Sequence, residues 1–397
     1  MSQLLLHNAS VISPVGIHPG GVLVRDGKIA SVFKDGFKPA GIESSESIDL
    51  HGGLLAPGMI DIHIHGSVGV DVQNTDCDGL SRLSEFLLGE AVTGYFATFV
   101  PTDDEGYESA LGEIDRYVAS YEERGGRAQI LGVHFEGPFV SHKRCGALQR
   151  RHFRTYGGDP QSLALFASGL RSSLPRLMTL APEIDGGLDL VSDLTAVGIK
   201  TLVGHTQADP GTLDLAAERG ARHITHFPNA LDPLHHRDPG AVAWGLVRAD
   251  VTMDCIADFH HVHPLMLKLI YQAKGAERLA LISDAIMPAG LGDGQFRVWG
   301  DTIAVRDGLT SLVEGPAAGA IAGSVITMRG ALKNIVSLGV SLEKASQMAS
   351  LVPARVSGVA RDYGSVEESK WADLIAFDED IGVRLAVVHG KLGFDRR

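Results

Sequence analysis

The rhythm of apolar and polar positions changes twice along the chain. In the first fifty-odd residues, "LLLHNASVIS", "GVLVRDGKIASVF" and "ESIDLHGGLLAPG" carry short strand-like runs separated by "PVG" and "RDG" turn signals. The tail, "DLIAFDEDIGVRLAVVHGKLG", has the same texture. Neither end is long enough to bury a core by itself, so the two are expected to combine in one small β-sandwich domain.

Between them, short apolar runs alternate with longer helical patterns. The runs are "MIDIHIHG", "GYFATFVPT", "QILGVHFEGPF", "RLMTLAPE", "IKTLVGHT", "RHITHFPNA", "VTMDCIADF" and "LALISDA", and nearly all end in polar residues. Helical segments such as "GLSRLSEFLLGEAV", "LDLVSDLTAVG", "GTLDLAAERG" and "HPLMLKLIYQAKG" lie between them. Eight strand–helix repeats predict an α/β fold, a TIM-like (β/α)8 barrel. An open doubly wound sheet is the rival, but no glycine-rich phosphate turn follows the first run. The expected division is residues 1–55 and 366–397 for the small domain and 56–365 for the barrel.

Composition narrows the function. Hydrophobic residues are 44% and charged residues 21% of 397, an ordinary globular balance. The net charge of −13 argues against general nucleic-acid binding, which needs a basic face. No cationic leader precedes the three leucines of "MSQLLLHNAS", and no apolar run reaches membrane-spanning length. Cys77, Cys145 and Cys255 are widely spaced, which predicts a reduced, cytoplasmic protein.

The chemistry collects at the ends of the runs. Side chains two apart in a strand share a face, so His63 and His65 project together while Ile62 and Ile64 point away. The third run gives Glu136 near its end, the fifth His205, the sixth His226 and the eighth Asp284. In a barrel these six residues meet at the C-terminal mouth. Imidazole and carboxylate suit zinc, iron or a related divalent ion; the other reading is a polar core of mutually bonded side chains. Asp284 is either the acid/base beside a metal or a helix N-cap. His134 lies one layer below Glu136 and is expected to support the ligands, whereas His223 opens its run at the opposite end. His7, His18, His51, His152 and His389 have no such placement. The loop "SHKRCGALQRRHFR" holds Lys143, Arg144, Arg150, Arg151 and Arg154 without an acid, and "HHR" ends at Arg237. Both follow strands at the same mouth, where they form either a cationic rim for an anionic substrate or a solvated charge run.

Taken together, "PGMIDIHIHG", "HFEGPF", "LAPE", "GHT", "THFPNALDPLHHRDPG", "ADFHHVHP", "SDA" and "AGS" resemble the N-acetylglucosamine-6-phosphate deacetylases of the amidohydrolase superfamily, over nearly the whole chain. The resemblance implies metal-dependent hydrolysis of an acetamide on a small phosphorylated amino sugar. It implies that Glu136, His205 and His226 hold one metal. It assigns His63 and His65, with Asp284 and Glu136, to a second, so one or two ions per chain are expected. Asp284 matches the acid/base. Asn229, Ala230, Arg237 and His261 match groups that hold the sugar phosphate, with Arg237 reaching across a homodimer interface. Ala147 and Ile321, Ala322 and Gly323 match further substrate contacts. Two departures stand out: Leu148 occupies a position where many relatives have His, and Phe259 and His260 bring bulk that would narrow the sugar pocket. Cys145 is either a substrate contact or a small loop residue. The alternatives are a galacto-epimer deacetylase, an amidohydrolase of cyclic amides or amino acids, and a non-catalytic metal- or sugar-phosphate-binding barrel. The fourth run, ending "TLAPE", has no lysine to bridge two metals, and Glu136 of the third run would serve instead.

Overall fold

The computed structural model describes residues 3–35, 46–121, 125–170, 173–315 and 318–396. Eight parallel strands form one sheet in chain order: Met59–Ile64, Val92–Phe99, Gln129–Glu136, Arg176–Leu180, Lys200–Val203, His223–Ile224, Thr252–Ile256 and Leu279–Ile282. They are the eight runs expected from the sequence. The ring closes just beyond the last strand, where Asp284 N donates to the His63 carbonyl (2.9 Å) and His65 N to the Ala285 carbonyl (2.8 Å).

A helix follows each strand, from Cys77–Gly89 after the first to Met328–Ser337 after the eighth. Their starts are written locally. Asp76, Asp103, Asp209 and Thr327 each accept a hydrogen bond from a backbone N–H of the first turn, satisfying donors that have no partner within the helix. Among the described residues after the third strand the only α-helix is Ala164–Ser168, because the long basic loop occupies that crossover.

The barrel interior is filled by Phe96, Leu177, Leu202, Ile256 and Ile282, which belong to one buried cluster. Ile282 lies two residues before Asp284 and Leu177 two before Thr179, so apolar packing gives way to polar groups along one face.

The chain ends meet as expected. Gln3–Ser13 pairs with Gly16–Arg25 and Leu54–Pro57, and Leu54–Pro57 pairs with Leu374–Phe377 from the C-terminal end. Leu374, Ala376, Leu385 and Val387 face the small domain's own core with Leu6, Val11, Val22 and Leu55. The alternate residues Ile375, Phe377, Ala386 and Val388 join the barrel's outer core. Period-two alternation thus glues the small domain to the barrel.

One element was not anticipated. Between the eighth strand and its helix, Gly294–Val298, Asp301–Arg306 and Leu309–Leu312 form a three-stranded antiparallel sheet. Its turns, "WGD" and "RDG", are hairpin signals inside the stretch read as barrel.

Candidate metal centre

Glu136 ends its strand, His63 lies within one and His65 just after it, while His205, His226 and Asp284 sit two residues beyond the last strand residue. All six are at most 8% exposed. His205, His226 and Asp284 adopt left-handed backbone (φ 48°, 33° and 49°). Non-glycine residues rarely do so, at a cost of about 1–3 kcal/mol each. The turn ends each strand and aims the side chain across the mouth.

Two trios meet on one carboxylate. His205 Nε2 and His226 Nε2 lie 2.9 and 3.1 Å from Glu136 Oε1, and 3.1 Å from each other. His65 Nε2 lies 3.4 Å from Glu136 Oε2 and 3.2 Å from Asp284 Oδ1. His63 Nε2 is 3.5 Å from Glu136 Oε1 and 3.4 Å from Asp284 Oδ1. His63, His65 and Glu136 form one group able to hold an ion, and Glu136, His205 and His226 the other.

The outer ring nitrogens support this reading. His65 Nδ1 faces the Thr98 carbonyl (3.1 Å) and His205 Nδ1 the Arg144 carbonyl (2.8 Å). A carbonyl only accepts, so the proton sits on Nδ1 and each Nε2 turns a lone pair inward. Lone pairs and carboxylate oxygens converging at these distances repel one another unless a cation or protons lie among them. Burial opposes charge on His65, His226, Glu136 and Asp284, yet pairing wins. The Asp284 and Glu136 carboxylates raise His65 to about 10, and Glu136 raises His226. In turn, the neighbouring imidazoles hold Glu136 and Asp284 below the usual carboxylate range. The pocket therefore demands positive charge, and the donor set fits a divalent cation.

His134 lies where expected, under His63 (ring centroids 4.7 Å apart). Its Nδ1 donates to the Ile62 carbonyl (3.0 Å) and its Nε2 meets the Thr179 hydroxyl (2.8 Å), while burial holds it neutral. His223 stays out of the cluster and bonds Asp254 (2.8 Å), whose other oxygen accepts from the His226 backbone N–H.

A cavity of about 170 Å³ opens onto the cluster. Of the expected substrate contacts, Ala147, Asn229, Ala230, His261, Ile321 and Gly323 line it. Ala322 is buried in the core of the inserted sheet instead. Arg237 is exposed on the loop after the sixth strand, outside the cavity lining. Phe259, His260 and Cys145 are not part of the lining, so the bulk after the seventh strand does not narrow it. Among the rim cations, Arg144 is paired with Asp232 and Arg154 with Asp104. Leu148 lines the cavity, as does Trp299, which sequence reasoning missed because it arrives on the inserted sheet.

The Amidohydrolase family model matches residues 54–393. The chain belongs to this family. It is 33% identical over 396 residues to the N-acetylglucosamine-6-phosphate deacetylase of Bacillus subtilis (strain 168), covering 99% of this chain and 97% of that one. It is 34% identical to the N-acetylgalactosamine-6-phosphate deacetylase of Escherichia coli O157:H7, covering 85% and 87%. Among solved structures, the N-acetylglucosamine-6-phosphate deacetylase from Pasteurella multocida superposes with a TM-score of 0.88 at 29% identity, covering 98% of this chain and 99% of that one. The family's barrel with a small domain from the chain ends is the architecture described above.

Proposed function

We propose that this protein hydrolyses the acetamide of N-acetyl-D-glucosamine 6-phosphate to D-glucosamine 6-phosphate and acetate. The observation that carries the reading is the shared Glu136: two ligand trios meet on it, with the Asp284 carboxylate alongside, at the floor of one cavity. Full-length similarity to deacetylases of amino-sugar phosphates supports the substrate class.

Glu136, His205 and His226 would hold one divalent ion, zinc or iron. His63 and His65, with Glu136 and Asp284, would hold a second. Once bound, such an ion activates water and polarises the amide carbonyl. Asp284 accepts the proton of the attacking water and returns it to the departing amine nitrogen. Thr98 and Arg144 carbonyls fix the His65 and His205 tautomers throughout. Asn229, Ala230 and His261 hold the sugar, with His261 oriented by Asp258 (2.7 Å). Arg237 completes the phosphate site of a neighbouring subunit in a homodimer. On this reading residues 56–365 are the catalytic barrel, and 1–55 with 366–397 its supporting domain. Three free cysteines accord with a cytoplasmic location.

A galacto-epimer substrate is the second reading, favoured by the 34% identity to the Escherichia coli relative. Acetate release from the gluco and galacto 6-phosphates, each beside its unphosphorylated sugar, tests both. Faster turnover of the gluco phosphate is expected. Preference for the galacto phosphate selects the second reading, and no acetate from any substrate in metal-replete protein overturns both.

A further inference from the structure

The cavity has two chemically different sides. Towards the sixth and seventh strands it presents Asn229 and His261. Asn229 Nδ2 donates to the His226 carbonyl (3.0 Å) and His261 bonds Asp258. The opposite side, over the first and third strands, presents Leu148 and Trp299.

Trp299 sits in the turn between the first two strands of the inserted sheet, yet three contacts tie it to the barrel mouth. Its ring stands edge-on to His65, centroids 5.1 Å apart and planes at 80°. Its Nε1–H donates to Asp71 Oδ2 (3.1 Å), and its carbonyl accepts from the Gln149 side-chain amide. With the indole N–H satisfied by Asp71, the ring offers the cavity carbon surface. Leu148 packs with Val100 and Val140, and against Phe153 and the same Trp299. This wall is apolar and anchored at both ends.

An amide held over the carboxylate–histidine floor has an amino sugar on its nitrogen side and a hydrocarbon group on its carbonyl side. Polarity matches in one orientation: hydroxyls against Asn229 and His261, hydrocarbon against Leu148 and Trp299. We propose that Leu148 and Trp299 form the acyl subsite, and that Trp299 sets the length of acyl group removed. The inference rests on the amide hydrolysis proposed above. The bond balance is unchanged: water oxygen joins the acyl carbon, the C–N bond breaks, and the proton goes to the amine. An N-propionyl substrate thus releases propionate in place of acetate.

An apolar wall that cannot yield discriminates one methylene by roughly 10- to 200-fold. The test compares kcat/KM for the N-acetyl, N-propionyl and N-butyryl forms of glucosamine 6-phosphate, in the metal-replete parent, Trp299→Ala and Leu148→Ala. The parent should favour acetyl, and each variant should shift the propionyl-to-acetyl ratio upward by about 10-fold or more. General damage to the fold lowers all substrates alike and leaves the ratio unmoved. Leu148→Ala also spares the Asp71 and Gln149 contacts, so it covers the case in which Trp299→Ala misfolds. Ratios within about twofold of the parent in the folded variants overturn the subsite while deacetylation stands. A parent that hydrolyses none of the three overturns both.

Discussion

Asp284 joins closure of the barrel to its chemistry. Its backbone N–H bonds the His63 carbonyl, while its carboxylate lies 3.4 Å from the His63 ring and 3.2 Å from that of His65. The N-cap reading raised from the sequence has no support, since the helix that follows begins at Met328 with Thr327 as its cap. Asp284→Asn keeps the shape and the backbone bond but cannot shuttle a proton. We expect turnover to fall by about 10²–10⁴-fold, with at least one metal ion per chain retained by elemental analysis. Activity within about tenfold of the parent would remove Asp284 from the proton path.

Among the elements, the short sixth strand and the C-terminal strands show how secondary structure serves the site. The sixth strand contains only His223–Ile224, so Asp254 of the seventh holds the His226 backbone in place. At the other end, Asp373 leads into Leu374–Phe377, where the small domain meets the barrel. Burial raises its carboxyl to about 7, against one hydrogen bond from the His389 N–H, and Asp373 Oδ2 has no hydrogen-bond partner among the described residues. A raised acid pKa means the folded state binds more protons than the unfolded state between 3.8 and about 7. Stability from this group is therefore lost as pH rises across that window, by at most about 4 kcal/mol. Asp373→Asn mimics the protonated form. It should raise the melting temperature relative to the parent at pH 8 and change it little near pH 4. An equal difference at both pH values would exclude this titration.

At the scale of the molecule, the proposed phosphate contact spans two subunits. Arg237 is exposed and outside the lining of its own chain's cavity, so its effect depends on assembly. Arg237→Ala should raise KM for the phosphorylated sugar, costing about 2–4 kcal/mol in kcat/KM, and should spare the unphosphorylated sugar. If Arg237 serves the neighbouring site, co-expression of Arg237→Ala with Asp284→Asn creates one intact site per mixed dimer. At low substrate, activity should then rise to about a quarter of the parent's, as random pairing in a closed twofold dimer dictates. Activity equal to the mean of the two variants would place Arg237 in its own chain's site or nowhere near substrate.

Much of this protein is written locally. Each of the eight runs became a strand because apolar periodicity and polar strand ends are short-range properties. Asp76, Asp103 and Asp209 likewise announce helix starts through bonds to residues two or three positions away. The gathering of His63, His65, Glu136, His205, His226 and Asp284 also follows from sequence once a barrel is accepted, since strand ends converge there whatever the packing between them. Other features depend on groups distant in the chain. The left-handed turns at His205 and His226, the carbonyls that set imidazole tautomers, and the Asp254 support need neighbours 28 to 61 positions away. Trp299 reaches His65 only because an inserted hairpin folds back across the mouth, 234 positions along the chain. Its flanking turns were legible, but its destination was not. Periodicity reports which face of an element is buried, whereas the object buried against that face is chosen by the closed ring.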